Sequence, residues 1–159
     1  AYIGVPVVCL VWLRGEDNAG LAAILWLLAS VWATDIGAFF AGRTIGGPKL
    51  APRLSPNKTW AGLFGAMISA GCVGWAASRL VPDGPSAAAL IAAGAVLAVV
   101  AQAGDLLESA VKRRFDAKDS SALIPGHGGL FDRVDGLLTA AAAFAAFQWL
   151  TGGRLLVWP

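Results

Sequence analysis

Long apolar stretches separated by short polar segments run through the whole chain. A helix needs about 20 predominantly apolar residues to cross the hydrocarbon core of a bilayer. Five stretches approach or reach that length, and the first and last are short. The predicted membrane-spanning segments are about 1–13, 19–41, 59–80, 86–104 and 136–151. The pattern therefore predicts an all-α fold, a polytopic transmembrane helical bundle that forms a single membrane domain over residues 1–159.

Two polar segments interrupt the apolar pattern. Residues 42–58 are rich in Gly and Pro, which predicts a loop with little regular structure. Residues 105–135 form the most polar stretch of the chain. Between them, spans 59–80 and 86–104 are joined by a tight turn and form a helical hairpin. Because this hairpin returns the chain to its starting side, we expect both loops on one face of the membrane.

The composition supports membrane insertion. Hydrophobic residues make up 57% of the chain and charged residues only 14%, against about 25% charged in a soluble domain. The 20 glycines fit helices that pack through small residues.

Cys9 and Cys72 lie in apolar runs, without the spacing of a metal site or a disulfide framework. The chain opens without Met or a signal peptide, so we expect it to be the C-terminal part of a longer protein with further upstream helices.

Basic residues concentrate on the side of the two loops. Nine of the twelve Lys and Arg fall there, and the other three fall on the opposite side. Cytoplasmic loops carry the excess of positive charge in membrane proteins. The sequence therefore predicts an integral membrane protein whose two loops face the cytoplasm.

Seven of the ten acidic residues lie on this same side. They are Asp35, Asp105, Glu108, Asp116, Asp119, Asp132 and Asp135. Carboxylate oxygens suit Mg²⁺, and interleaved Lys and Arg suit the phosphates of a nucleotide. A surface that only attracts anionic lipid would be basic without these acids.

A continuation of the 86–104 helix would place several of these groups together. Asp105, Glu108, Ser109 and Lys112 would then fall at i, i+3, i+4 and i+7, which is one helix face. Metal ligands and a phosphate-binding Lys could share this face. The alternative is an amphipathic helix end with solvated charges.

A glycine-rich segment at 125–129 precedes the last span. Its N–H groups could form a nest for an anion, although most such segments are only turns. Asp132 and Asp135 follow near the first turn of the last helix, where the helix dipole favours carboxylates. His127, without a second His or Cys nearby, fits a hydrogen-bonding loop residue better than a metal ligand.

Two further residues stand at ends of spans. Asp35 follows a long apolar run, and an acid at membrane depth is a functional hypothesis by default, although it could lie at the interface. Lys58 stands at the start of a span, where the helix N-terminus adds to its attraction for phosphate. The alternative is that Lys58 only anchors the helix at the lipid headgroups.

These residues belong to a recognisable pattern. The segments SAVKRRFDAKD at 109–119 and PGHGGLFDRVD at 125–135 resemble the signature of the phosphatidate cytidylyltransferases over its whole length. The resemblance extends upstream to GDLLES at 104–109, to SPNKTW at 55–60 and to DIGAF at 35–39. It covers about residues 30–140. One departure is Ala61, where the family usually has an acid.

The resemblance implies an enzyme that joins CTP to phosphatidic acid, giving CDP-diacylglycerol and pyrophosphate with Mg²⁺ as cofactor. It implies that Asp105 and Asp132 hold the metal, and that Lys58, Lys112 and Arg133 belong to the nucleotide and phosphate site. We accordingly expect catalytic roles for Asp105, Asp132, Lys112 and Ser109, metal binding by Asp105, Asp132, Glu108 and Asp135, and substrate binding by Lys58, Arg133, Arg113, His127 and Asp35. The expected partners are CTP, phosphatidic acid and the bilayer, without nucleic acid. The family is often dimeric, which leaves a homodimer open.

Two other functions compete with this interpretation. A CDP-alcohol phosphotransferase requires Asp-Gly followed after two residues by Ala-Arg, whereas Asp135-Gly136 is followed by Leu137-Leu138-Thr139-Ala140. The second alternative is a transporter or lipid-binding membrane protein without catalysis, in which Asp35 would be an ion site. Pyrophosphate release from CTP on addition of phosphatidic acid distinguishes the three.

Overall fold

The structure is a computed structural model that describes residues 3–15, 18–81, 83–114 and 134–151. These residues form five helices and one two-stranded sheet. In chain order the elements are α1 (Gly4–Arg14), α2 (Asn18–Thr44), β1 (Lys49–Ala51), β2 (Ser55–Thr59), α3 (Trp60–Leu80), α4 (Ala87–Arg114) and α5 (Asp135–Leu150). The predicted all-α class is confirmed.

Three helices are long and apolar enough to cross a bilayer. They are Ala19–Thr44, Trp60–Leu80 and Ala87–Arg114, and they coincide with the three predicted central spans. Helices α1 and α5 have 11 and 16 residues. At about 1.5 Å per residue both are shorter than the hydrocarbon core of about 30 Å, as expected for the two short terminal segments. The chain is thus a helical membrane protein.

Small residues let the long helices approach closely. A Cβ on Gly65 of α3 would lie 2.6 Å from the carbonyl oxygen of Gly37 in α2. A Cβ on Gly94 of α4 would lie 2.7 Å from the carbonyl oxygen of Ala70 in α3. Such backbone-to-backbone contacts replace the hydrophobic driving force that is missing between helices in lipid. The many glycines therefore hold the α2–α3–α4 layer together.

A cluster of larger side chains joins α2 to α4 and α5. Leu27, Leu90 and Phe144 are almost fully buried. The rings of Trp26 and Phe144 lie 5.4 Å apart between centroids and are tilted by 58°, within the range of favourable aromatic pairs. Large apolar side chains on the outer faces are exposed, as lipid-facing residues would be.

The prediction of little regular structure over residues 42–58 was wrong. Helix α2 continues to Thr44, and β1 pairs with β2 as an antiparallel hairpin, with Lys49 opposite Thr59 and Ala51 opposite Ser55. The turn glycines precede the hairpin at Gly46 and Gly47, with φ of 65° and 90°, a region that favours glycine. Most of the Gly and Pro here lie in the turns around short strands. Pro56 lies in β2, which is an edge strand of the two-stranded sheet and therefore tolerates Pro.

The predicted loop 105–135 begins later than expected. Helix α4 continues to Arg114, so residues 105–114 are helical. This stretch contains neither Gly nor Pro, and therefore nothing stops the helix at the end of the apolar run. The condition for the one-face arrangement, a helix that continues past residue 104, is therefore met. Residues 115–133, including the glycine-rich segment, lie outside the described residues.

Candidate active site

A cavity of about 230 Å³ lies where α2, β2, α3 and α4 meet. Its lining is apolar on α2 and α3 except at a few positions. The polar lining residues are Asp35, Asn57, Lys58, Thr59 and Gln102. Four elements far apart in sequence thus contribute to one small polar cavity beside the apolar helices.

An ion pair between Lys58 and Asp105 connects β2 to α4. The Nζ atom of Lys58 lies 2.6 Å from Oδ2 of Asp105, and the two side chains are 20% and 22% exposed. The same Nζ donates to the carbonyl oxygen of Gln102 at 3.4 Å. A charge-assisted hydrogen bond in a partly desolvated place is stronger than one between neutral groups. The contacts therefore hold the Lys58 ammonium between the cavity and α4.

The start of α3 fixes the direction of Lys58. Thr59 is the N-cap residue, and its buried hydroxyl accepts a hydrogen bond from the backbone N–H of Gly62 at 3.0 Å. Such a cap satisfies one of the N–H groups left unpaired at a helix start. Gly42 of α2 packs on this cap, since a Cβ there would lie 3.2 Å from Thr59 Oγ1. The residue next to Lys58 is therefore held by two helices.

Three carboxylates from three helices lie close to one another at this site. Asp35 of α2 is close enough to Asp105 of α4 and Asp135 of α5 for electrostatic repulsion, and Lys58 opposes that repulsion. A Cβ on Gly136 would lie 3.0 Å from Oδ1 of Asp105, so the first turn of α5 lies against the Asp105 carboxylate. The structure thus brings together four residues that the sequence predicted for the site. The accumulated negative charge favours a bound cation.

A second pair lies further along α4. Lys112 Nζ is 3.0 Å from Oε1 of Glu108, whose side chain is only 7% exposed. Ser109 is half-buried on the same helix. Arg113 donates from Nε to the carbonyl oxygen of Leu54 in the hairpin turn, at 2.9 Å. The predicted metal ligand Glu108 and the predicted catalytic Lys112 therefore contact each other, and their roles stay predictions.

The donor chemistry fits Mg²⁺ without forming a complete cage. Within the described ranges no group of three or more His, Cys, Asp or Glu side chains is arranged to hold a metal ion. Mg²⁺, however, is usually held by one or two carboxylates together with waters and substrate phosphates. Asp105 offers one such carboxylate. Asp132, the second predicted ligand, lies with Arg133 and His127 outside the described residues, so the metal pair stays a prediction.

Comparison with known proteins now decides the family. Residues 1–151 match the sequence profile of the cytidylyltransferase family. The chain belongs to this family. Among the most similar cytidylyltransferase relatives is the phosphatidate cytidylyltransferase of Brucella suis biovar 1 (strain 1330), with 49% identity over 146 residues, or 92% of this chain and 54% of the relative.

More distant relatives carry the same name. The phosphatidate cytidylyltransferase of Pseudomonas aeruginosa is 45% identical over 130 residues, which are 81% of this chain and 48% of the relative. That of Bacillus subtilis (strain 168) is 41% identical over 138 residues, which are 86% of this chain and 51% of the relative. The chain spans about half the length of the curated relatives it matches.

Sequence reasoning missed several residues of the site in this cytidylyltransferase chain. The cavity is also lined by Gln102, Thr59 and Asn57. The carbonyl oxygen of Leu54 accepts a hydrogen bond from Arg113. Gln102 could have been found, because it is the only side chain with a hydrogen-bonding group between residues 87 and 104 and a polar residue inside a span is a functional hypothesis. Thr59 also has the residue type of an N-cap. The backbone carbonyl of Leu54 has no signal in the sequence.

Proposed function

We propose that this chain is the catalytic part of a phosphatidate cytidylyltransferase, which forms CDP-diacylglycerol and pyrophosphate from CTP and phosphatidic acid. The observation that carries the proposal is the Lys58–Asp105 pair, at 2.6 Å, set among further carboxylates at the end of apolar helices. The names of the relatives support the same reaction. A site for a charged nucleotide and a lipid phosphate requires such mixed charge beside the bilayer.

In the proposed reaction, an oxygen of the phosphatidic acid phosphate attacks the α-phosphorus of CTP. A new P–O bond forms, the bond from the α-phosphorus to the bridging oxygen of the β-phosphate breaks, and pyrophosphate leaves with that electron pair. Such transfers are catalysed mainly by positioning and by charge neutralisation, without a protein nucleophile. Lys58, Lys112 and Arg133 are the residues to which we assign the phosphates.

The contacts of Lys58 suit this assignment. A Lys ammonium has three N–H donors, and its described partners are Asp105 Oδ2 and the Gln102 carbonyl oxygen. The third N–H can donate to a phosphate oxygen in the adjoining cavity. Asp105 and Gln102 then hold the ammonium in place, so that little side-chain entropy is lost when the substrate binds.

We assign Mg²⁺ binding to Asp105 and Asp132, with Glu108 and Asp135 in support. When bound, Mg²⁺ would neutralise charge that develops on the transferred group. The proximity of Asp35 and Asp135 to Asp105 supports a cation at this place. Ser109 is assigned to the same face of α4.

We place the site on the cytoplasmic face of a bacterial inner membrane, where CTP is available. Support comes from the distribution of basic residues and from the contacts of the β1–β2 hairpin with α4, which join the hairpin to residues 105–114 at one end of the bundle. A homodimer stays a prediction, which light scattering of the detergent-solubilised full-length protein would test.

Product analysis of the purified full-length protein tests the proposal. With CTP, Mg²⁺ and phosphatidic acid in mixed micelles, we expect CDP-diacylglycerol and pyrophosphate in equal amounts, and neither product when phosphatidic acid is omitted. Release of CMP from CDP-diacylglycerol with an added alcohol would instead indicate a CDP-alcohol phosphotransferase. Ion flux without consumption of CTP would indicate a transporter.

A further inference from the structure

Side-chain contacts at two places join α4 to strand β2 and to the turn just before it, beyond the apolar part of the bundle. Lys58 of β2 pairs with Asp105 at the base of the extension, and the Leu54 carbonyl oxygen, just before β2, accepts from Arg113 near its end. The order of the contacts is reversed along the two segments, so β2 lies antiparallel to this part of α4.

The spacing of the two contacts matches on both segments. From Asp105 to Arg113 is eight helical residues, or about 12 Å at 1.5 Å per residue. From Lys58 to Leu54 is four extended residues, or about 13 Å at 3.3 Å per residue. Both contacts can therefore form together without bending either segment. The Arg113 contact joins the two segments at one end, and the Lys58–Asp105 pair joins them at the other.

The hairpin is short, and its turn end lies away from the Thr59 cap at the start of α3. Its strands have three and five residues, and an isolated two-stranded hairpin is at best marginally stable in water. The turn is closed by the Leu54 N–H, which donates to the Ala51 carbonyl oxygen at 3.1 Å. The Arg113 contact is made to this same turn residue. The Thr59 cap holds one end of β2 and the Arg113 contact holds the other, so the position of Lys58 depends on both.

We propose that Arg113 is a positioning residue, which holds the β1–β2 hairpin against α4 through the Leu54 carbonyl and thereby keeps Lys58 at Asp105 and the cavity. This differs from the substrate-binding role expected for Arg113 from the sequence. It rests on the proposed function only where activity is the readout. The attachment of the hairpin can be measured without any substrate.

Substitutions at Arg113 separate a positioning role from a phosphate-binding role. The contact uses Nε, which follows Cβ, Cγ and Cδ along the side chain. The amide nitrogen of Gln occupies the same place in its side chain and donates without a charge. Lys keeps the charge but moves its donor one bond further out. Arg113→Gln therefore tests the hydrogen bond, Arg113→Lys tests the charge, and Arg113→Met removes both.

The attachment is read from thiol reactivity at the hairpin. Ser55 is half-buried in β2 next to Leu54, so Ser55→Cys, in full-length protein with Cys9 and Cys72 replaced, reports release of the hairpin. We expect the labelling rate to rise several-fold in Arg113→Met and to stay near the parent rate in Arg113→Gln. The matched control is Arg114→Gln, which removes an exposed arginine from the same helix end and should change nothing.

Activity provides the second readout, in protein with the native Ser55. A hydrogen bond of ordinary strength predicts a roughly fivefold loss of kcat/KM for CTP in Arg113→Met, mostly recovered in Arg113→Gln. The proposal is overturned if labelling at position 55 is the same in Arg113→Met as in the parent. It is also overturned if Arg113→Lys keeps activity while Arg113→Gln loses as much as Arg113→Met, since charge would then be what matters. Absence of CDP-diacylglycerol in the parent would refute the proposed reaction but leave the labelling test intact.

Discussion

The ammonium of Lys58 lies 2.6 Å from the carboxylate of Asp105, although the two residues are 47 positions apart in the chain. The helical hairpin of α3 and α4 makes this possible, because it carries the chain away from the site and back. The pair joins the end of the β1–β2 hairpin to the place where α4 leaves its apolar run. The pair also places the Lys58 ammonium at the cavity that Asp35 lines. Among the described lining residues, Asp35 is the only one with a carboxylate.

Replacing Lys58 by Met should slow the reaction without preventing insertion of the protein. The change removes a charge-assisted hydrogen bond, worth about 1.5–3 kcal/mol, and leaves Asp105 to repel Asp35. We expect kcat/KM for CTP to fall roughly tenfold to a hundredfold. The measurement is steady-state kinetics of the full-length protein in detergent.

Lys49→Met is the control for this experiment, because Lys49 is an exposed residue of the same hairpin. It should retain nearly full activity. If Lys58→Met instead keeps its kinetics and only accumulates to a lower level in membranes, Lys58 anchors the helix at the headgroups and does not bind substrate.

Two glycines of α3 should respond differently to the same substitution. A Cβ at Gly74 would clash with the backbone carbonyl of Leu90, whereas a Cβ at Gly71 would be 3.5 Å from its nearest neighbour, the side chain of Ile91. Gly74→Ala should therefore destabilise the protein by about 1–3 kcal/mol. Gly71→Ala should be neutral or slightly stabilising, because Ala favours helix.

Thermal unfolding of the two variants in one detergent measures this difference. Equal melting temperatures for Gly74→Ala and Gly71→Ala would mean that α3 and α4 are not in backbone contact at this level.

The orientation of the bundle can be tested with single cysteines in a protein that lacks Cys9 and Cys72. Arg53 in the hairpin turn and Arg114 at the end of α4 are exposed at one end, and Ser86 is exposed between α3 and α4. Cysteines at 53 and 114 should be labelled by a membrane-impermeant reagent only after the cytoplasmic side is opened. A cysteine at 86 should be labelled from outside intact cells.

Equal labelling of all three positions from outside would contradict this topology. The hairpin and the end of α4 would then be unable to form a site that uses cytoplasmic CTP.

The apolar runs were sufficient to predict the three long helices, because length and hydropathy dominate in a membrane. They did not predict the β1–β2 hairpin, since its strands are too short for a periodic pattern and the Gly and Pro of the segment 42–58 resemble those of a loop. Hydropathy alone predicts a loop for the charged residues between 105 and 114, because it marks where a helix leaves the membrane and not where the helix ends. The spacing of Asp105 and Lys112 would place both on one face of a continuing helix, but it does not by itself indicate that the helix continues.

The candidate site was partly predictable for a similar reason. Asp35, Lys58 and Asp105 could be identified by their type and by their place at the ends of spans. Their convergence depends on how α2, α3 and α4 cross, which follows from contacts such as Gly37 with Gly65 and not from any one segment. The pairing of Arg113 with the Leu54 carbonyl could not be predicted. Every residue has a backbone carbonyl, so the identity of the acceptor residue gives no signal in the sequence.

Asp105 is the described residue that pairs with the lysine of the cavity and that we also assign to Mg²⁺. The decisive measurement is CDP-diacylglycerol formation by full-length Asp105→Asn over a Mg²⁺ titration. Asp83→Asn is the control, since Asp83 is exposed at the other end of α3 and α4 and Asn tolerates its φ of 62°. A cation that neutralises developing charge contributes several kcal/mol, so Asp105→Asn should lower turnover by roughly a hundredfold or more while Asp83→Asn stays near the parent rate. Near-normal turnover of Asp105→Asn at low Mg²⁺, in protein of normal detergent-stable yield, would contradict the account.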